Sequence, residues 1–326
     1  MNKNSDEIKE NMAINEINET NIGNLVRDAK SWKFLTGISI DDSNPSINWT
    51  AINSTYDWCN GKGTKDEPYI IENITIDAGG SGSCLTIQNS IVYFIIRNCT
   101  FYNSGSVFPN AGIYMYNVNN GTLVNNTCSR NNFHGIYLRN CDKNEILNNT
   151  ANDNAYRGIW LDDSDYNNVT GNIANGNSVS DPTGYQGIWL SGSSTKNQII
   201  NNTLKNNPWG ISIEDGNMNL IYRNTIIYTS YIYGGTGIYL LSNSKNNITK
   251  NEITGASISI YLSYSHFNNV TANIINGGST GIRVASSDDN FVSGNNITTN
   301  YNGIEFESGS DNNNITGNFM HYGGLY

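Results

Sequence analysis

The chain predicts an all-β parallel solenoid of about 10–11 coils built from three parallel sheets. The first observation behind this is a returning phrase, Gly-Ile-x-Leu with x most often aromatic. With conservative variants it opens at Gly112, Gly135, Gly158, Gly187, Gly210 and Gly237, passes through Ser259, and resumes at Gly281 and Gly303, in steps of 23, 23, 29, 23, 27, 22, 22 and 22 residues. A second phrase, apolar-x-x-Asn, keeps the same beat at Asn126, Asn149, Asn172, Asn202, Asn224, Asn251, Asn273, Asn295 and Asn318. Between and after these phrases there is room for two further short strands per coil, as in Asn247-Ile248-Thr249 and Glu252-Ile253-Thr254.

Residues 1–35 carry no repeat, and the broken helical spacing of Ile8, Met12, Ile17, Leu25 and Val26 predicts a mobile tail or a short capping helix. Residues 36–68 hold Trp49, Trp58 and a Gly61-Lys62-Gly63 turn before Pro68, which fits an N-terminal cap. The β-helix is expected over residues 69–320, opening at Tyr69-Ile70-Ile71, with Cys84 standing in the glycine place of the following coil. Strand alternation sends Ile113/Met115, Ile136/Leu138, Ile159/Leu161, Ile188/Leu190, Ile211/Ile213, Ile238/Leu240 and Ile260/Leu262 inward, and the residue between each pair outward. The Asn column is expected at left-handed corners, its amides bonding from coil to coil. The glycines mark tight corners or close backbone approaches. Five cysteines (Cys59, Cys84, Cys99, Cys128, Cys141) lack Cys-x-x-Cys spacing and read as small buried hydrophobes. Residues 321–326 are too short for a capping helix. They are expected to fold over the last coil, or that end is expected to meet another subunit, because bare strand edges recruit partners.

Composition narrows the function. A net charge of −10 with only 18 Lys and Arg gives no footprint for nucleic acid and repels anionic membranes. It also disfavours polyanionic glycans unless a cation mediates. The longest apolar run, Ile91 to Ile96, is strand-length and far short of the roughly 18 residues of a membrane span. The first 30 residues hold no apolar signal core, so either the protein stays inside the cell or a leader has been removed. Asn-x-Ser/Thr triplets such as Asn48, Asn73 and Asn247 are abundant, as Asn/Thr-rich corners make them.

The run Gly237-Ile-Tyr-Leu-Leu-Ser-Asn-Ser-Lys-Asn-Asn-Ile-Thr-Lys-Asn251 is similar to the repeat of NosD-like right-handed parallel β-helix proteins, a group of carbohydrate-binding and sugar-hydrolase domains. The segment Trp58-Cys-Asn-Gly-Lys-Gly-Thr-Lys-Asp-Glu-Pro-Tyr-Ile-Ile-Glu-Asn73 resembles the opening of archaeal secreted members. The resemblance covers roughly residues 36–320 and implies right-handed winding and an extracellular or cell-surface location. It rests on corner and core positions, so it speaks to fold more than to activity. The copper associated with the family is not matched by a cluster of soft ligands among the 3 His and 5 Met.

The outward residue of each Gly phrase forms a column running Thr86, Tyr114, Tyr137, Trp160, Trp189, Ser212, Tyr239, Tyr261, Arg283, Glu305. Tyr156, Tyr185, Arg157 and Trp209 lie just before the glycines, and insertions near 104–110, 175–185 and 228–235 share one corner and wall the column. An aromatic floor with polar neighbours suits a sugar chain. Packing alone is the competing account, since aromatics favour exposed strand positions. The candidate ligand-binding set is therefore Tyr114, Tyr137, Trp160, Trp189, Trp209, Tyr239, Tyr261, Tyr156, Tyr185 and Arg157. Asp162 and Glu214 stand two coils apart in the next outward column, about 9.6 Å of backbone, at the edge of the inverting-hydrolase range, with Asp163 as a third carboxylate. The polygalacturonase-like pattern is incomplete, with neither Gly-His-Gly nor Arg-x-Lys following. A lyase or epimerase would instead use His134, Tyr137 or Arg139 on a uronate, with Asp162, Asp163 and Asp165 holding Ca²⁺. Otherwise no cofactor or metal is expected. The leading expectation is a polysaccharide- or glycan-binding protein. A polysaccharide-active enzyme and a structural adhesin element are the alternatives.

Overall fold

The computed structural model describes residues 31–178, 185–229 and 235–322, within a compact unit that begins at Ser31. The expected N-terminal tail lies outside the described residues up to 30. The chain winds as a solenoid of about 11 turns with almost no helix. One face is an 11-stranded parallel sheet made of the Gly phrases, from Ile38–Asp41 to Asn302–Phe306. A second is a 12-stranded sheet ending at Asn314–Thr316, parallel except where Cys59–Asn60 runs antiparallel to Tyr69–Glu72. The third face comprises 4 strands and then 7, joined through single bridges at Thr150. Three faces per coil thus match the spacing in the sequence.

Core and corners follow from the repeat. Ile136, Leu138, Ile188, Leu190, Ile238 and Leu240 are fully buried, opposite Ile146, Ile199 and Ile248 of the second sheet. Each inward residue meets its own kind one strand spacing away, as in Ile136↔Ile159↔Ile188. The phrase glycines are extended rather than left-handed. A Cβ on Gly210 would come within 2.5 Å of the Gly237 carbonyl oxygen, and one on Gly281 within 2.4 Å of that of Gly303. Close approach, not corner geometry, is therefore their reason.

The ladder asparagines differ from expectation in one respect. The left-handed residue is the one before each of them, as at Asn148 (φ 53°), Arg223 (φ 54°) and Lys250 (φ 56°). Each ladder Asn points its amide inward. The Asn224 backbone N–H donates to Asn251 Oδ1 (2.9 Å), its Nδ2 donates to the Ile199 carbonyl (2.8 Å), and its Oδ1 accepts the Asn202 N–H (2.9 Å). Two more ladders stand at the other corners. One runs Asn144, Asn167, Asn197, Asn219, Asn246, Asn268, Asn290, Asn313, and the other Asn131, Asn154, Asn177, Asn207.

The sheets begin before the expected opening at Tyr69. Trp32–Phe34 and Ile38–Asp41 already pair in parallel with Ile74–Asp77 and Leu85–Ser90, and the cap is the inserted helix Trp49–Thr55. Asn48 caps it by accepting the Ala51 N–H (2.8 Å). Trp49 is stacked on Tyr69 and Phe94 at ring separations of 5.3 and 4.9 Å, and its indole donates to Ser90 Oγ. At the other end Ile315, Phe319 and Met320 of the last coil are exposed. Of residues 321–326, on which the expected fold-over falls, His321 and Tyr322 end the strand paired with Asn296–Thr299, and 323–326 lie outside the described residues.

All five cysteines are free and buried. Burial pushes the Cys59, Cys84, Cys99 and Cys141 thiols up to about 12. The native protein should therefore resist thiol reagents at pH 8 and release five reactive thiols only in denaturant. Asn224→Ala strands the Ile199 carbonyl and the Asn202 N–H in the core. It should lower stability by about 3 kcal/mol or more in chemical denaturation. Asn318→Ala, in the partly exposed last coil, should cost about 1 kcal/mol.

Candidate functional site

The predicted outward column is one row of strand partners: Thr86↔Tyr114↔Tyr137↔Trp160↔Trp189↔Ser212↔Tyr239↔Tyr261↔Arg283↔Glu305. Exposure departs from expectation in the first half of the row. Tyr137 is fully buried, and Tyr114 and Trp160 are each 8 % exposed. The rings are stacked along the tube axis, Tyr114 on Tyr137 at 5.2 Å, Tyr137 on Trp160 at 4.1 Å and Trp160 on Trp189 at 4.9 Å. Strand spacing of about 4.8 Å is close to aromatic stacking distance, so each face is taken by the next ring. The first insertion completes the cover by laying Phe108 5.9 Å from Tyr137 and 6.2 Å from Trp160. Tyr114, Tyr137 and Trp160, with Ala111, make a second small core outside the tube.

His134 shares that core. Its ring lies 4.3 Å from Phe133, 5.0 Å from Trp160 and 5.5 Å from Tyr137, and neither nitrogen has a hydrogen-bond partner. Burial, with Arg157 adding to it, holds its pKa well below the usual histidine value. The ring expected as an acid or base is thus enclosed by aromatic side chains. The Tyr137 phenol is likewise held protonated by burial and by Asp162, to which it donates at 3.1 Å.

Asp162 is committed on several sides. Beyond Tyr137 it accepts from Ser191 Oγ (2.9 Å), which itself accepts the Trp160 indole N–H (2.8 Å), and it pairs with Arg139 at 3.6 Å. Asp163 is exposed at a left-handed corner. Burial and then Asp162 raise its pKa, and Gly192 leaves the space both carboxylates occupy. Asp165 belongs to the next corner, where it accepts the Thr195 N–H (2.7 Å). Among the described residues no three His, Cys, Asp or Glu side chains converge as a metal site, so the Ca²⁺ set of the lyase alternative is not assembled.

From Trp189 onward the row opens. Trp189, Trp209, Tyr239 and Tyr261 are partly exposed. Trp209 meets Tyr239 edge-on at 4.6 Å, and Tyr239 leans on Tyr261 at 5.2 Å. Tyr156 bridges Phe133 (4.1 Å) and Tyr185 (4.5 Å) along the flank. The Arg157 guanidinium lies 4.0 Å from the Trp189 ring centre, 4.6 Å from Trp160 and 5.0 Å from Tyr185, with Nε donating to Gln186 Oε1 (2.9 Å). Glu214 is partly buried; burial first, then Asp215, raises its pKa. Among the described residues it has no ion pair. Arg283, by contrast, is tied to Glu305 and Glu307. The open half thus offers ring surfaces, one cation and one carboxyl. The sequence reading missed Phe108 as a cover and Ser191 as a relay. Residues 179–184 and 230–234 of the other two insertions lie outside the described residues.

Two family descriptions match the chain, "Right handed beta helix region" over residues 36–204 and "Periplasmic copper-binding protein (NosD)" over residues 210–322. The described residues of the second span do not fit a copper ion. They hold no convergent donor set, and His266 spends Nδ1 accepting the Asp288 N–H. No curated protein matches the chain. Among solved structures, the A-module of Azotobacter vinelandii mannuronan C-5 epimerase AlgE6 aligns over 79 % of this chain and 80 % of that one, with TM-score 0.57 and 14 % identity. DFA-IIIase from Arthrobacter chlorophenolicus A6, in complex with GF2, aligns over 88 % and 83 %, with TM-score 0.55 and 12 % identity. At such identities the likeness is one of fold. The winding, the stacked rows and the match across more than half of its length agree: the chain belongs to the right-handed β-helix family.

Proposed function

We propose that this chain is an exported glycan-binding protein whose ligand lies on the outer face of the 11-stranded sheet, over Trp189, Trp209, Tyr239 and Tyr261. One observation carries the reading. The rings that remain partly exposed gather in the half of the row where Arg157 and Glu214 also stand, outside the tube, with Trp189 packed against the second core and Trp209, Tyr239 and Tyr261 further along. Sugars present apolar faces and hydroxyl edges together, and this mixture of rings and polar groups suits both. The same fold carries an epimerase acting on mannuronan and an enzyme solved with GF2, which supports a sugar ligand by analogy of fold alone.

A polysaccharide-active enzyme is the second reading, favoured by the contrast between two carboxylates. Asp162 is anchored by three partners, while Glu214 is unpaired among the described residues and inclined to keep its proton. A carboxyl group whose pKa is raised by burial is the one placed to donate a proton.

Affinity electrophoresis against a panel of polysaccharides separates contact from packing. Trp189→Ala and Tyr239→Ala should each weaken retention roughly tenfold while the protein stays folded. Trp160→Ala should instead lower stability by about 3 kcal/mol or more, because its ring is buried. Unchanged retention in the first two variants removes the binding site from this face. If sugar products form at all, Glu214→Gln should abolish them, and full activity in that variant rejects the enzymatic reading.

A further inference from the structure

The corner where the 11-stranded sheet passes into the 12-stranded sheet holds two left-handed residues per turn, three positions apart, from Asn140 to Asp289. The first of each pair is mostly a residue that suits this conformation, as at Asn140, Asp163, Asp215 and Ser242. The second is not. It runs Lys143, Tyr166, Lys196, Met218, Lys245 and Phe267, all at φ between 56° and 59°. There Cβ crowds the following carbonyl oxygen, so Gly, Asn and Asp are the ordinary occupants and a bulky side chain is an outlier. Among the described residues the left-handed aromatic and methionine side chains are Tyr166, Met218, Tyr264 and Phe267, and all four stand in these turns. Since the same turns place small polar residues three positions earlier, turn geometry does not select the second set. A conformational cost kept in this way points to a use for the side chains.

The six lie one above another. Each backbone N–H donates into the next turn, Lys143 to the Asp165 carbonyl, Tyr166 to Thr195, Lys196 to Asn217, Met218 to Ser244 and Lys245 to His266. At about 4.8 Å per strand they form a ridge about 24 Å long. The ridge is open to solvent: Tyr166 is 50 % exposed, Met218 39 % and Phe267 55 %. A corner projects from the tube, so it offers a line of contact to another surface and no pocket for a small ligand.

Cation and apolar side chain alternate along this line, and the alternation is self-complementary. Turned end for end about a two-fold axis between Lys196 and Met218, Lys143 comes opposite Phe267 of a second copy, Tyr166 opposite Lys245, and Lys196 opposite Met218. Each lysine then faces a ring or a thioether, and none lies directly opposite another lysine. A two-fold contact demands this of a surface, because the same patch must fit itself. The pairing chemistry already occurs within one chain, where Lys196 Nζ donates to the Tyr166 hydroxyl (2.6 Å) and lies 4.9 Å from its ring centre. Ammonium groups are attracted to aromatic faces, and lysine stems cover apolar surface while the charge stays in water.

We infer that this ridge is a self-association surface on which two copies of the chain pair side by side and antiparallel, lysine against aromatic ring or methionine. None of its six side chains belongs to the proposed glycan face, so the two readings stand or fall separately. Few side chains take part, which places the contact below the roughly 1,200 Å² of stable complexes. The dimer is therefore weak, with a dissociation constant on the order of 100 µM.

Sedimentation equilibrium of the full chain at about 10 µM to 1 mM tests this, and the mean mass should climb towards that of two copies. Tyr166→Asn and Phe267→Asn put an ordinary left-handed residue at the corner. Each should weaken association roughly tenfold or more while the thermal midpoint holds or rises. Tyr166→Lys sets lysine against Lys245 and should also weaken it. Adding Lys245→Glu to that variant sets opposite charges face to face and should recover pairing at low salt. A monomer at every concentration overturns the inference, as does a dimer unaffected by the two asparagine variants, which puts the contact elsewhere. A lowered midpoint in those variants assigns the rings to packing within one chain and overturns it too. Failure of the double variant to recover rejects the antiparallel pairing.

Discussion

A buried ladder asparagine in this molecule finds its main partners in the coil below and the coil above. That requirement holds the architecture in register. A slip of one residue would leave a column of carbonyls and amides unpaired inside the tube, each a loss of about 1–3 kcal/mol, so vertical alignment is enforced coil by coil. The apolar columns supply most of the burial but discriminate poorly between registers, because Ile, Val and Leu replace one another along them. Polar ladders fix the alignment that the apolar rows would tolerate losing. The phrase glycines belong to the same constraint, since their missing side chains let one backbone lie against the next.

Vertical alignment also decides what the outer face can do. Rings placed one above another at strand spacing satisfy each other, which is why Tyr137 and Trp160 are packing residues although they sit on the outside of the tube. What the row leaves open to solvent is its partly exposed members and the polar groups lodged beside them. An unbroken aromatic column would be a stronger spine and a poorer binding surface.

Much of this was legible in the residues. The period, the inward pairs, the outward row and one Asn ladder could be read from position alone, because a solenoid turns sequence spacing directly into height along the tube. The other two ladders were equally legible, since Asn144, Asn167 and Asn197 keep the same beat as Asn149, Asn172 and Asn202. Ring orientation was not legible. Whether Tyr137 shows solvent its face or its edge depends on the stacking distance and on Phe108 arriving from an insertion with no pattern of its own. The start of the tube was hidden as well. Ile38–Asp41 follows Gly37 in the same Gly-Ile-Ser-Ile form as Gly210–Ile213, but the helix between it and the next strand of the coil breaks the count.

The three insertions leave from a single corner, and the base of the last one shows how such a departure is closed. Tyr228 reaches across to donate its hydroxyl to the Thr236 carbonyl (2.6 Å), and Gly235 is bare because any side chain there would strike the Tyr228 ring. Once both feet are pinned, the length of the excursion barely matters to the frame, since closure entropy grows only with the logarithm of loop size. The Asn144 and Asn126 ladders stand at the other corners and never see it. The molecule is in that sense modular along a single seam. Segments there can be lengthened, shortened or exchanged while the rungs behind them stay as they are.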